Sequence, residues 1–157
     1  MNNGINVNSE IGKLKSVLLH RPGAEVENIT PDTMKQLLFD DIPYLKIAQK
    51  EHDFFDQTLR DNGAETVYIE NLATEVFEKS SETKEEFLSH LLHEAGYRPG
   101  RTYDGLTEYL TSMPTKDMVE KIYAGVRKNE LDIKRTALSD MAGSDAENYF
   151  YLNPLPN

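Results

Sequence analysis

The chain has 157 residues, with 17 Lys and Arg against 27 Asp and Glu, a formal net charge of −10. That balance argues against non-specific nucleic-acid binding and against adsorption to anionic membranes, since both need a basic surface. The length fits one domain, or one plus a small insert; hydrophobic residues at 38% and charged residues at 28% indicate a globular rather than a disordered chain, and a cysteine count of 0 removes disulfides, a thiolate nucleophile and thiolate metal ligands from these residues.

The N-terminus, Met1 to Asn6, has no basic region and no apolar stretch, so it does not read as a signal peptide. No apolar run approaches the roughly 20 residues of a spanning helix. A cytoplasmic protein is the expectation. The first predicted element is a strand over Lys13–His20, alternating at first and then running Val17-Leu18-Leu19, closed by Arg21-Pro22-Gly23. Thr30-Pro31 opens a short helix through Leu38, with Pro31 pre-set for the first helical position. A longer helix runs from about Pro43 to Asn62, with Ile47, Phe54, Phe55 and Leu59 near one face and Gly63 at its stop. Glu65–Ile69, rich in β-branched and aromatic residues, predicts a second strand. Strand, helix, strand implies a parallel βαβ unit.

After Asn71 the pattern becomes helical. Asn71–Phe77 suits a short helix. Thr83 with Glu86 has capping-box spacing for a helix through Ala95, stopped by Gly96, with Phe87, Leu88, Leu91, Leu92 and Ala95 as its apolar face. Leu106, Tyr109, Leu110 and Met113 mark another helix ended by Pro114. Met118, Val119, Ile122 and Tyr123 mark the next, ended near Gly125, and a last short helix is expected near Leu131–Met141. Gly96, Gly100 and Gly105 read as loop punctuation. Together these helices predict a small bundle inserted after the second strand. The aromatic segment Tyr149–Leu152, followed by Pro154 and Pro156, reads as the start of a further strand. Two parallel strands alone leave edges and a face uncovered. The β part therefore reads as incomplete, the N-terminal piece of a larger α/β protein that would associate through its unpaired strands.

Four histidines are candidates for chemistry: His20, His52, His90 and His93. His90 and His93 lie one helical turn apart beside Glu94, but no third ligand sits at the right offset, and a solvated helix face explains them. His20 closes the first strand next to Arg21, where a packing or turn role competes with a site role. No nucleophile elbow and no glycine-rich phosphate loop occurs. The adjacent acids Asp40 and Asp41 point apart, so they form no acid/base dyad. They can cap a helix, or they can present acceptors from a loop to a cationic substrate.

Longer words in the sequence go further. The segment Ser9-Glu10-Ile11-Gly12-Lys13-Leu14-Lys15-Ser16-Val17-Leu18-Leu19-His20-Arg21-Pro22-Gly23 resembles the opening strand of bacterial arginine deiminases. Leu37-Leu38-Phe39-Asp40-Asp41-Ile42-Pro43-Tyr44-Leu45 resembles that family's phenylalanine-aspartate-aspartate loop. His52-Asp53-Phe54-Phe55 up to Gly63, then Val67-Tyr68-Ile69, fits the helix and strand that follow, and Leu152–Asn157 resembles the approach to the family's asparagine-x-x-phenylalanine-threonine-arginine-aspartate motif. The resemblance implies the pentein α/β propeller, with residues 1–70 as its first βαβ portion, 71–148 as an inserted helical bundle and 149–157 as the truncated start of the next strand.

It further implies hydrolysis of L-arginine to L-citrulline and ammonia through a cysteine-bound intermediate, with no metal and no cofactor, in a homo-oligomeric parent much longer than this chain. The cysteine, histidine and acidic partners would lie beyond Asn157. Two substrate-binding positions carry over from the family pattern. Asn157 matches the asparagine that holds the α-carboxylate, and Leu38 matches the residue whose carbonyl accepts from the α-ammonium, against its plain reading as an apolar helix-end residue. Phe39, Asp40 and Asp41 would form the active-site loop that closes over arginine. The competing expectation is a non-catalytic acidic module that binds a basic partner.

Overall fold

The computed structural model describes residues 7, 9–31, 34, 39–131 and 150–155. The short helix expected over Thr30–Leu38 and the one near Leu131–Met141 fall largely outside them.

Strand β1 spans Ser16–Leu19 and pairs in parallel with β2, Glu65–Tyr68, in the register Ser16 to Glu65 through Leu19 to Tyr68. The crossover carries a one-turn helix α1, Ala24–Glu27, and the long helix α2, Leu45–Asp61. The βαβ unit is therefore as the sequence predicts, with both strands shorter. Ile69 leaves the strand and opens helix α3, which runs to Lys79. The chain leaves α2 through Gly63, whose φ of 80° lies in the left-handed region that suits glycine.

The rest of the bundle is α4 (Ser81–Glu94), α5 (Arg101–Thr111) and α6 (Thr115–Ala124). The cap of α4 is Ser80, whose hydroxyl accepts the Thr83 N–H at 3.1 Å, so Thr83 lies in the first turn and is not the cap. Gly105 is interior to α5 rather than in a loop. Its neighbours Leu106 and Leu110 lock that helix into the core.

The core belongs to the bundle. Phe77, Leu88, Leu92, Leu106, Leu110, Met118, Val119 and Ile122 are buried together. Phe87 and Ala95, expected on the apolar face of α4, are exposed instead. A second small sheet closes one end of this core. Val126–Arg127 (β3) pairs antiparallel with Phe150–Leu152 (β4), and a 3-10 turn at Lys128–Glu130 follows β3. Val126 and Leu152 join the core. Phe150 thus starts a strand, as expected, but its partner is β3 and not the β1–β2 sheet.

The βαβ unit is thin by comparison. Val17 and Leu19 lie on one sheet face with Thr66 and Tyr68; Leu18 lies on the other and is 54% exposed. No residue of α2 is buried, and Phe54 is 77% exposed. Neither sheet closes on itself.

Candidate functional site

The parallel strands set the geometry. Ligands of open α/β sheets bind outside the carboxyl ends of the strands. In a parallel unit the segment after β1 and the loop before α2 both lie at that end. Here the segment is His20-Arg21-Pro22-Gly23. It is tied to α2 by Gln49, whose Nε2 donates to the Pro22 carbonyl at 2.9 Å. Arg21 adds a bidentate pair with Asp53, at 2.7 and 2.9 Å. The Arg21 guanidinium holds the Asp53 carboxyl below its usual range, and since both groups are exposed the pair positions more than it stabilises.

The loop before α2 carries the predicted acids. Phe39 is half-buried, and its N–H donates to the Met34 carbonyl at 3.0 Å. Asp40 and Asp41 are both exposed. Asp41 Oδ1 accepts the N–H of the next residue, Ile42, at 2.8 Å. Helix α2 starts only at Leu45, behind Tyr44, and has no side-chain cap. The capping reading of Asp40 and Asp41 therefore fails: the two acids stand in the loop, three or more residues before the first helical turn. Leu38 and Asn157 lie outside the described residues.

His90 and His93 are exposed on α4, the solvated face that the sequence implies. Among the described residues no group of three or more His, Asp or Glu is placed to hold a metal ion. His52, on α2, sits beside Tyr68 with ring centroids 5.8 Å apart. His20 is different. Its Nε2 lies 3.2 Å from Glu25 Oε1, its Nδ1 lies against Glu70 Oε1, and its ring stacks on Tyr123. Glu25, Glu70 and Tyr123 escape a sequence reading because they come from three separate helices and share no local spacing with His20.

A second carboxylate is also held by distant groups. Glu130 accepts from Tyr109 Oη at 2.8 Å and from the Arg127 N–H at 2.9 Å, and it pairs with Lys121. Burial pushes the Tyr109 hydroxyl up to about 12, with the Glu130 hydrogen bond and charge adding to it, so it remains a neutral donor. This cluster staples α5, α6 and β3 together.

The comparisons with known proteins bear on the loop. The family model "Arginine deiminase" matches residues 35–157, a span that takes in Phe39, Asp40 and Asp41. This chain belongs to the arginine deiminase family. Two proteins called arginine deiminase, from Lactococcus lactis subsp. cremoris (strain MG1363) and Lactococcus lactis subsp. lactis (strain IL1403), are each 99% identical to it over all 157 residues. A third, from Latilactobacillus sakei subsp. sakei (strain 23K), is 58% identical over the same span. In each case the match covers 100% of this chain and 38% of the relative, so the chain spans well under half the length of those arginine deiminases. No helix among the described residues is long and apolar enough to cross a membrane.

Proposed function

We propose that this chain is the N-terminal scaffold and rim of a longer enzyme that hydrolyses L-arginine to L-citrulline and ammonia. The family match across residues 35–157, with relatives of that name at 99% identity, carries this reading. It also speaks against the acidic interaction module. The reaction needs a thiolate to attack the guanidinium carbon, a histidine to move protons, and carboxylates to hold a planar cation. This chain has a cysteine count of 0, so the attacking sulfur belongs to other residues of the parent.

What this chain contributes is binding and closure. The exposed acids Asp40 and Asp41 lie in a loop at the carboxyl end of β1, where a cationic substrate would approach. With Phe39 they form the loop that covers arginine and excludes water from the covalent intermediate. The Leu38 carbonyl accepts from the α-ammonium, and the Asn157 amide donates to the α-carboxylate. Residues 1–70 form the first portion of a pentein propeller, 71–148 the inserted bundle and 149–157 the lead into the next strand. The open sheet and the exposed apolar residues of α2 support that division, because both need further chain to cover them. The parent is cytoplasmic and homo-oligomeric in this reading, and it requires neither metal nor cofactor.

The test is kinetic, in the full-length polypeptide. Asn157→Ala is expected to weaken arginine binding by about 1–3 kcal/mol, the loss of one charge-assisted hydrogen bond. An unchanged kcat/KM would remove Asn157 from the site. The 157-residue chain alone should release no ammonia from arginine, and release by it would overturn the reading outright.

A further inference from the structure

The arginine reading leaves the His20 cluster without a role. It lies where β1 meets the bundle. The His20 side chain is 8% exposed, and carboxylates face both of its ring nitrogens. Glu25 Oε1, from α1, is 3.2 Å from Nε2 and also accepts the Gly23 N–H. Glu70 Oε1, from α3, lies against Nδ1 as a charge contact rather than a hydrogen bond, and Nδ1 and the other Glu70 oxygen are both buried without a hydrogen-bond partner. Tyr123, from α6, lies flat on the ring, with centroids 4.3 Å apart and planes 17° from parallel. The neighbouring cation, Arg21, is engaged by Asp53 of α2. Tyr68 of β2 lies beside His52 of α2, with ring centroids 5.8 Å apart.

A neutral imidazole has one N–H and one lone pair, so it can serve only one of two carboxylates. The other carboxylate would then face a lone pair across a dry gap, which is repulsive. An imidazolium donates from both nitrogens, and its charge suits the face of a tyrosine. We propose that His20 is held as an imidazolium and acts as a pH-gated latch: its proton clamps α1, α3 and α6 to the end of β1, and its loss loosens that seam.

Electrostatics run the same way. Burial on its own pulls the His20 imidazole down, but the Glu25 hydrogen bond and the Glu70 and Glu25 charges outweigh it, and the net direction is up. Burial pushes Glu25 up, and the hydrogen bonds from His20 and the Gly23 backbone more than reverse that. A group raised on folding stabilises fully below its unfolded value, about 6.5 for histidine, and this stability is lost as pH rises through the folded value. The latch is therefore shut in mildly acidic solution and opens on the alkaline side.

The experiment follows the His20 ring nitrogens by long-range proton–nitrogen NMR from about pH 5 to 9, alongside amide hydrogen exchange at β1, α1 and α3, corrected for intrinsic rates. Expected are two protonated ring nitrogens at low pH and a titration above about 6.5. Exchange at the seam should accelerate as pH rises through the same midpoint. The bundle core Leu88–Leu92 should stay protected throughout. His20→Gln should abolish the step. Titration at or below the ordinary value, a singly protonated ring at low pH, or a seam indifferent to pH would each overturn the proposal. So would a His20→Gln protein that keeps the wild-type step. If that variant does not fold, the wild-type ring titration and exchange profile still decide the matter.

Discussion

Gly125 and Leu152 approach so closely that a Cβ at position 125 would lie 2.7 Å from the Leu152 carbonyl oxygen. It would also meet Pro154 N at 2.7 Å and Asn153 C at 3.0 Å, all backbone atoms that cannot turn aside. The φ of Gly125 is 82°, a left-handed conformation at the exit of α6. Gly125→Ala therefore combines strain with collision. It should destabilise the chain by at least about 2 kcal/mol, mainly by separating β4 from β3. A urea unfolding midpoint within error of the parent would contradict this contact.

Two large apolar residues should respond in opposite ways. Leu92 is fully buried between the bundle helices, and Leu92→Ala should cost about 2–5 kcal/mol. Phe54 is 77% exposed on α2, and Phe54→Ser in this chain should leave stability within about 0.5 kcal/mol. It should also weaken self-association, because Phe54, Phe55 and Ile47 make an uncovered apolar face. If the proposed longer polypeptide covers that face with other residues, Phe54→Ser should there be strongly destabilising. Sedimentation of the chain and thermal melts of both forms check the two halves.

Acid should dismantle the staple between α5, α6 and β3. Burial raises the Glu130 carboxyl, but Lys121, the Arg127 N–H and Tyr109 together bring it below its ordinary value. A depressed carboxylate stabilises above its unfolded value, about 4.3, and loses that contribution as pH falls through the folded value. Glu25 is depressed as well and acts with the same sign. Stability should thus decline below about pH 4.5. Glu130→Gln should cost about 1.5–3 kcal/mol at neutral pH and much less in acid. Equal penalties at both pH values would show that charge is not what Glu130 supplies.

Asp41 separates closure from capping. It contacts the N–H of Ile42 and lies ahead of α2 rather than on its N-terminus. A lost cap would cost about 1 kcal/mol. Asp41→Ala should cost less than half of that, yet, on the proposed function, slow arginine turnover in the full-length protein. Turnover unaffected by the change would take Asp41 out of the loop's function.

The elements most legible in the sequence are those written in local periodicity. Met118, Val119 and Ile122 at helical spacing mark α6, and Val17 to Leu19 with Glu65 to Tyr68 mark a strand pair whose long connection requires parallel pairing. Val126–Arg127 is invisible as a strand, since two residues carry no alternation and its existence rests on Phe150–Leu152 arriving beside it. Ser80 is hidden as a cap because Thr83 and Glu86 offer a tidier motif three residues later.

The loop acids are legible as residues, but only the start of α2 at Leu45 separates loop display from capping. Sequence is enough for the family, for the adjacent acids and for the absence of cysteine from these residues, because each is a matter of residue identity and order. Folding alone brings His20, Glu25, Glu70 and Tyr123 to one point and puts the core in the bundle instead of under the sheet. Such contacts join positions up to about a hundred residues apart. No pattern short enough to read along a chain records which of its charges will share one dry pocket.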